Sequence, residues 1–127
     1  MNEELAISKR TKYGYDIIDI VGEITFEDSK KVENYIQSHV TGETRHVIMN
    51  LASVPFINSS ALSLLVKIMQ ELSATGIDLL LMNPNETIRG LLEITGVKRY
   101  FKFINNENEL IEKLKSKELN DMLELKD

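Results

Sequence analysis

The run Ile77-Asp78-Leu79-Leu80-Leu81-Met82 constrains the fold more than any other stretch of this chain. A short, nearly continuous apolar run is the mark of a strand covered on both faces. A second run, His46-Val47-Ile48-Met49-Asn50-Leu51, reads the same way. Each is followed by a helix signal. After 46–51 comes a helix over about 60–74, with Leu62, Leu65, Met69 and Leu72 on one stripe and Leu64 and Ile68 on another face. A helix this apolar is wedged in a core or covered by a partner. After 77–82, Asn83-Pro84-Asn85-Glu86 opens a helix, with Asn83 as N-cap, Pro84 at the first helical position and Glu86 at the third. Ile88, Leu91 and Leu92 form its buried face, and Gly96 closes it.

The flanking segments extend the alternation. Ala6 to Lys12 and Tyr15 to Val21 read as a strand pair around Tyr13-Gly14. Thr25 with Asp28 three residues on is a capping arrangement, and Val32, Ile36 and Val40 give the helix behind it an apolar stripe ended by Thr41-Gly42. Tyr100 to Ile104 reads as a last, edge-type strand, followed by a helical segment from about Asn106. Strands alternating with helices predict an α/β fold: a mixed central sheet of four to five strands covered by about four helices.

The terminal helix is irregular. Leu110, Ile111 and Leu114 form one stripe, whereas Leu119, Met122 and Leu123 form another on a rotated face. One straight helix does not bury both against a single surface. Residues 1–115 are therefore expected to be one domain and 116–127 a helical extension that bends, frays or meets a second chain. A weak homodimer through the 119–123 stripe is the corresponding partner expectation.

The composition narrows the function. A chain of 127 residues supports one core. Its net charge of −5, with bases interleaved among acids, argues against nucleic acid. There is no cysteine, hence no thiol chemistry. Met1-Asn2-Glu3-Glu4 lacks the apolar core of a signal peptide, and no run approaches the roughly 18 residues of a membrane span, so a cytoplasmic location away from membranes is expected. On that expectation the triplets Asn58-Ser59-Ser60 and Asn85-Glu86-Thr87 carry no glycan.

Catalytic patterns are missing. His39 and His46, at a helix end and a strand start, form no ligand spacing, and no phosphate loop or GxGxxG occurs. Asp16, Asp19, Glu23 and Asp28 fall on strand ends and a first helical turn, where carboxylates are usually solvated or capping. No metal, cofactor or enzymatic activity is expected.

One step stands out: Ile57-Asn58-Ser59-Ser60-Ala61, between a strand and an apolar helix. Hydroxyls at a helix N-terminus face unsatisfied N–H groups and the positive end of the helix dipole, where a phosphate is stabilised. On residue types alone, one of Asn58, Ser59 and Ser60 simply caps the helix.

The wider pattern resembles STAS domains of the anti-sigma factor antagonist family. Val47-Ile48-Met49-Asn50-Leu51 followed by Val54 to Leu62 is similar to that family's hydrophobic-Asp-Leu strand and Asp-Ser-Ser/Thr-Gly-Leu turn. Gly22-Glu23-Ile24-Thr25 resembles its Gly-Glu-Leu-Asp, while Asn83-Pro84 and Leu91 to Val97 sit where it has a strand end and a helix running into Leu-x-x-x-Gly-hydrophobic. The likeness spans about residues 4 to 115. It implies a non-enzymatic switch. The unmodified protein would bind an anti-sigma factor that is also a serine kinase of histidine-kinase-like ATPase fold, freeing a sigma factor. The kinase would phosphorylate Ser59, with Ser60 as second choice, and a PP2C-type phosphatase would reverse it. Gly22, Glu23, Thr25, Asn58, Ser59, Ser60 and Leu62 would form the partner surface.

The chain departs from that pattern at four places. Asn50, Asn58 and Thr25 stand where the family typically has Asp, and Ala61 adds a methyl group where Gly is usual. The three lost acidic positions, with the second terminal stripe, favour the alternative: an unphosphorylated STAS scaffold module in a signalling complex or a transporter accessory.

Overall fold

The computed structural model describes residues 5–40 and 43–124, with side chains through Lys117. Five strands form one sheet in the order β1-β2-β3-β4-β5: Ala6–Lys12, Tyr15–Val21, His46–Ser53, Asp78–Met82 and Lys102–Ile104. β1 pairs antiparallel with β2 through the turn at Tyr13-Gly14, where both residues take positive φ. The pairings β2–β3, β3–β4 and β4–β5 are parallel. The sheet is mixed, and the α/β expectation holds. Thr41-Gly42, expected to end the first helix, lies outside the described residues.

Four helices accompany it: α1 (Phe26–His39), α2 (Ser59–Ala74), α3 (Glu86–Ile94) and α4 (Glu107–Glu124). Right-handed crossovers that step along the sheet in one direction put their helices on one face. Accordingly α1, α2 and α3 share a face, packing Val32, Ile36, Leu65, Ile68, Ile88 and Leu92 on Ile18, Val47, Met49 and Leu81. The chain then reverses, and α4 covers the other face with Leu110 on Ile17, Ile48, Leu80 and Ile104. Alternate residues of one strand thus enter different cores. Leu79 and Leu81 face the three helices, and Leu80 and Met82 face α4. This is the physical reason for the continuous apolar run at 77–82.

Three details differ from the sequence reading. The α3 cap is Asn85, not Asn83: Asn85 Oδ1 accepts from Ile88 N at 2.9 Å, while Asn83 sits at φ 51° and Pro84 is buried in the loop. Two Asn residues flank the proline, and the second one places its oxygen over the free N–H groups. Tyr100 is not in the last strand but ends a 3-10 turn, Lys98–Tyr100, leaving β5 only three residues long. Within α2, Ile68 joins the core stripe and Met69 lies at its margin. The backbone of the terminal helix is helical from Glu107 to Glu124. The side chains of the 119–123 stripe lie outside the described residues.

A polar clasp fixes the start of α4. Arg10 on β1 pairs with Glu107 and, through Nε at 2.7 Å, with Asp19 on β2. Partial burial pushes the Asp19 carboxyl up, but hydrogen bonds from Arg10 and Asn50, with the Arg10 charge, outweigh it and hold the group below the ordinary carboxylate value. The same bonds, from Asp19 first and then Glu107, raise the Arg10 pKa.

Candidate functional site

Parallel strands deliver all their following helices from one end of the sheet, so the carboxyl edge gathers helix N-termini. Here the loops after β2 and β3 are tied side by side. Gly22 N donates to Ser53 O at 3.1 Å, Ile24 N to Phe56 O at 3.0 Å and Asn58 N to Ile24 O at 3.3 Å, closing a parallel bridge between Ile24 and Ile57. Gly22 has φ 116°, a conformation L side chains rarely adopt, which is why glycine stands there. Asn85 Nδ2 donates to Pro55 O at 3.0 Å and joins the start of α3 to the same edge.

Both neighbouring helices are capped as their sequences dictate. Thr25 caps α1 in a reciprocal box with Asp28, its hydroxyl donating to Asp28 Oδ2 at 2.9 Å. Asn58 caps α2, Oδ1 accepting from Ala61 N at 2.8 Å. Ser59 and Ser60 are therefore the first two helical residues, and both are exposed. Their hydroxyls make no hydrogen bond among the described residues, and their backbone N–H groups have no protein acceptor. The first turn of α2 carries no carboxylate, whereas those of α1, α3 and α4 do. Two hydroxyls thus sit at the positive end of a 16-residue helix with no like charge in the turn.

All four sequence departures acquire physical explanations. Asn50 on β3 is in register with Asp19 on β2 and donates to its Oδ1 at 2.7 Å. An aspartate there would set two carboxylates against each other. Asn58 supplies the cap without adding charge. The Ala61 methyl is buried in the core, away from the exposed edge. Thr25 retains the cap while Asp28 brings a carboxylate to it.

Glu23, Thr25, Ser59 and Ser60 are exposed along this edge, and Gly22 and Asn58 are half-buried within it. Leu62 departs from its expected place on the partner surface. It is 3% exposed, because it shares the inward stripe of α2 with Leu65, Ile68 and Leu72. It meets solvent only within a cleft of about 370 Å³ that Ser59, Ser63, Val66, Thr95 and Val97 also line. Instead, Phe26 and Phe56, each 45% exposed, supply the outward apolar surface of the two tied loops, with Val21 at the end of β2 and Ile94 at the end of α3 also exposed. No local pattern in the sequence singles out Phe56, which lies between buried Val54 and Ile57 and turns outward only in the fold. Among the described residues no group of three or more His, Asp or Glu side chains could hold a metal, and no helix is long and apolar enough to cross a membrane.

The family model of the STAS domain matches residues 6–110, and the chain belongs to that family. Solved structures agree in fold. The Bacillus cell fate determinant SpoIIAA, in its phosphorylated form, is 21% identical, with 84% of this chain and 98% of that one covered and a TM-score of 0.64. An anti-sigma factor antagonist from Mycobacterium paratuberculosis is 17% identical over 91% of this chain and 99% of its own, at a TM-score of 0.72. The murine anion transporter Solute Carrier 26 family member A9 is 15% identical, with 84% of this chain and 18% of that one covered, at a TM-score of 0.72. At these identities the likeness is one of fold. The molecule is a STAS domain built like the anti-sigma factor antagonists.

Proposed function

We propose that this protein is a cytoplasmic anti-sigma factor antagonist, a non-enzymatic switch set by phosphorylation of Ser59. One observation carries the reading: an exposed, unbonded hydroxyl at the first position of α2, beside two free N–H groups and a neutral cap. The phosphorylated form of SpoIIAA shares the fold. Unmodified, the edge offers hydroxyls together with Phe26 and Phe56 to an anti-sigma factor that is also a serine kinase of histidine-kinase-like fold. A phosphate adds about −1.5 to −2 charge. The helix dipole and free N–H groups make it tolerable in the free domain, but buried without a partner at an interface it is very costly. Modification therefore releases the kinase without unfolding the switch, and a PP2C-type phosphatase resets it.

Incubation with the cognate kinase and ATP, followed by peptide mass spectrometry, tests the acceptor. Transfer is expected at Ser59 and is lost in Ser59→Ala. Transfer that persists in that variant, or none to any residue, contradicts the assignment.

The fold shared with the anion transporter supports a second reading, an unphosphorylated scaffold or transporter accessory. It predicts that Ser59→Asp leaves partner binding nearly unchanged.

A further inference from the structure

An open cleft of about 560 Å³ lies between the end of α3 and β5, lined by Glu93, Gly96, Lys98, Arg99, Phe101 and Phe103. Phe101 and Phe103 pack with the core under α1, α2 and α3, so the cleft is on that face of the sheet, at its β5 edge. Lys98 is paired with Glu93 at 2.8 Å. Two arginines nearby are held by neutral groups. Arg99 Nη2 donates to the Tyr100 hydroxyl at 2.9 Å, and its guanidinium stands over the Tyr100 ring. Arg89 Nε donates to Pro84 O at 3.0 Å, and its guanidinium stands 5.7 Å from the centre of the Phe103 ring. Among the described residues no carboxylate lies within ion-pair range of either arginine. A chain of net charge −5 thus sets two uncompensated cations beside an apolar cleft, with Tyr100 half exposed next to Arg99.

The same chain carries a complementary segment. Residues 118–127 hold Glu118, Asp121, Glu124 and Asp127 against one base, Lys126, interleaved with Leu119, Met122, Leu123 and Leu125. Leu119, Met122 and Leu123 fall off the stripe of Leu110, Ile111 and Leu114, so the surface that Leu110 covers does not also receive them. α4 lies across the sheet from the cleft and is helical through Glu124, which keeps the segment from folding back onto its own chain's cleft. The segment of a second copy meets no such bar.

We propose that this cleft receives the acidic segment 118–127 of a second copy of the chain. Carboxylates of the segment pair with Arg89 and Arg99, and its apolar side chains cover Phe103 and Tyr100. Each copy has both a cleft and a segment, so reciprocal exchange closes a two-fold dimer. Ser59 lines no part of this cleft, and the pairing is separate from the proposed switch.

Sedimentation equilibrium of the full chain, in low and in high salt, tests the assignment. A monomer–dimer equilibrium that weakens with salt is expected. Arg99→Glu should raise the dissociation constant by about tenfold or more, and so should the pair Glu118→Lys with Asp121→Lys. A mixture of these two variant chains should regain association, because one brings an intact segment and the other an intact cleft. Ser59→Ala should associate as the unaltered chain does. Arg99 is exposed, and Arg89→Gln probes the same surface independently should Arg99→Glu fail to fold. A chain that stays monomeric at every concentration overturns the proposal; if that monomer also binds vesicles of phosphatidylcholine and phosphatidylserine through Arg99, the surface belongs to a lipid partner instead. Association undiminished in the folded arginine variants overturns it too, since the segments then meet each other and not the cleft.

Discussion

Asn58 and Ser59 divide the labour at the start of α2: one satisfies the Ala61 N–H, and the other presents a hydroxyl to solvent. Removing the cap should cost stability and removing the hydroxyl should not. Asn58→Ala is expected to lower unfolding free energy by about 1 kcal/mol, and Ser59→Ala to leave it within about 0.5 kcal/mol, both read from urea midpoints. Asn50 and Asp19 illustrate a second division. Because the Asp19 carboxyl titrates below its ordinary value of 3.8 in the folded protein, it contributes stability above that pH. That contribution is lost as pH falls through the depressed folded value. Stability should therefore decline on acidification from about pH 5 to about pH 2, and Asp19→Asn should flatten part of this decline. An unchanged acid limb in Asp19→Asn would show that Arg10 and Asn50 do not act through this carboxyl.

Among the elements, α2 joins the core and the site. Its inward stripe, Ala61, Leu62, Leu65, Ile68 and Leu72, is buried against the sheet. Leu65→Ala should cost about 2–5 kcal/mol, measured by chemical denaturation, with no change in which residue a kinase modifies. The elements were largely legible in the sequence because apolar runs and caps are local signals. The bounds of β1 and β2 and the Thr25 cap emerged as expected. Other details depend on tertiary geometry that no local pattern encodes. Asn83 and Asn85 are equivalent as cap candidates until the loop is folded. Leu62 is apolar and three residues after Ser59, yet only the packing of α2 on the sheet turns it inward, and only the folded loops leave Phe26 and Phe56 facing out. The pairing of Asn50 with Asp19 joins positions 31 residues apart and could not be read from either alone.

At the scale of the molecule, among the described residues three helices crowd one face of the sheet and α4 alone covers the other. Among the described residues the carboxyl edge is left uncovered by helices, and in the proposed switch this arrangement would separate switching from stability. We expect residues 117–127 to mediate weak self-association through the 119–123 stripe. Their removal should leave the melting temperature nearly unchanged while abolishing concentration-dependent mass in light scattering; an unaltered mass profile would exclude that role. The central claim concerns the edge itself. It is tested most directly by the affinity of the cognate kinase for the unmodified protein, for the Ser59-phosphorylated protein and for Ser59→Asp. The switch predicts tight binding of the first and a loss of about a hundredfold or more in the other two, with all three folded alike. Equal affinity for all three forms would contradict it and leave the domain a constitutive binding module.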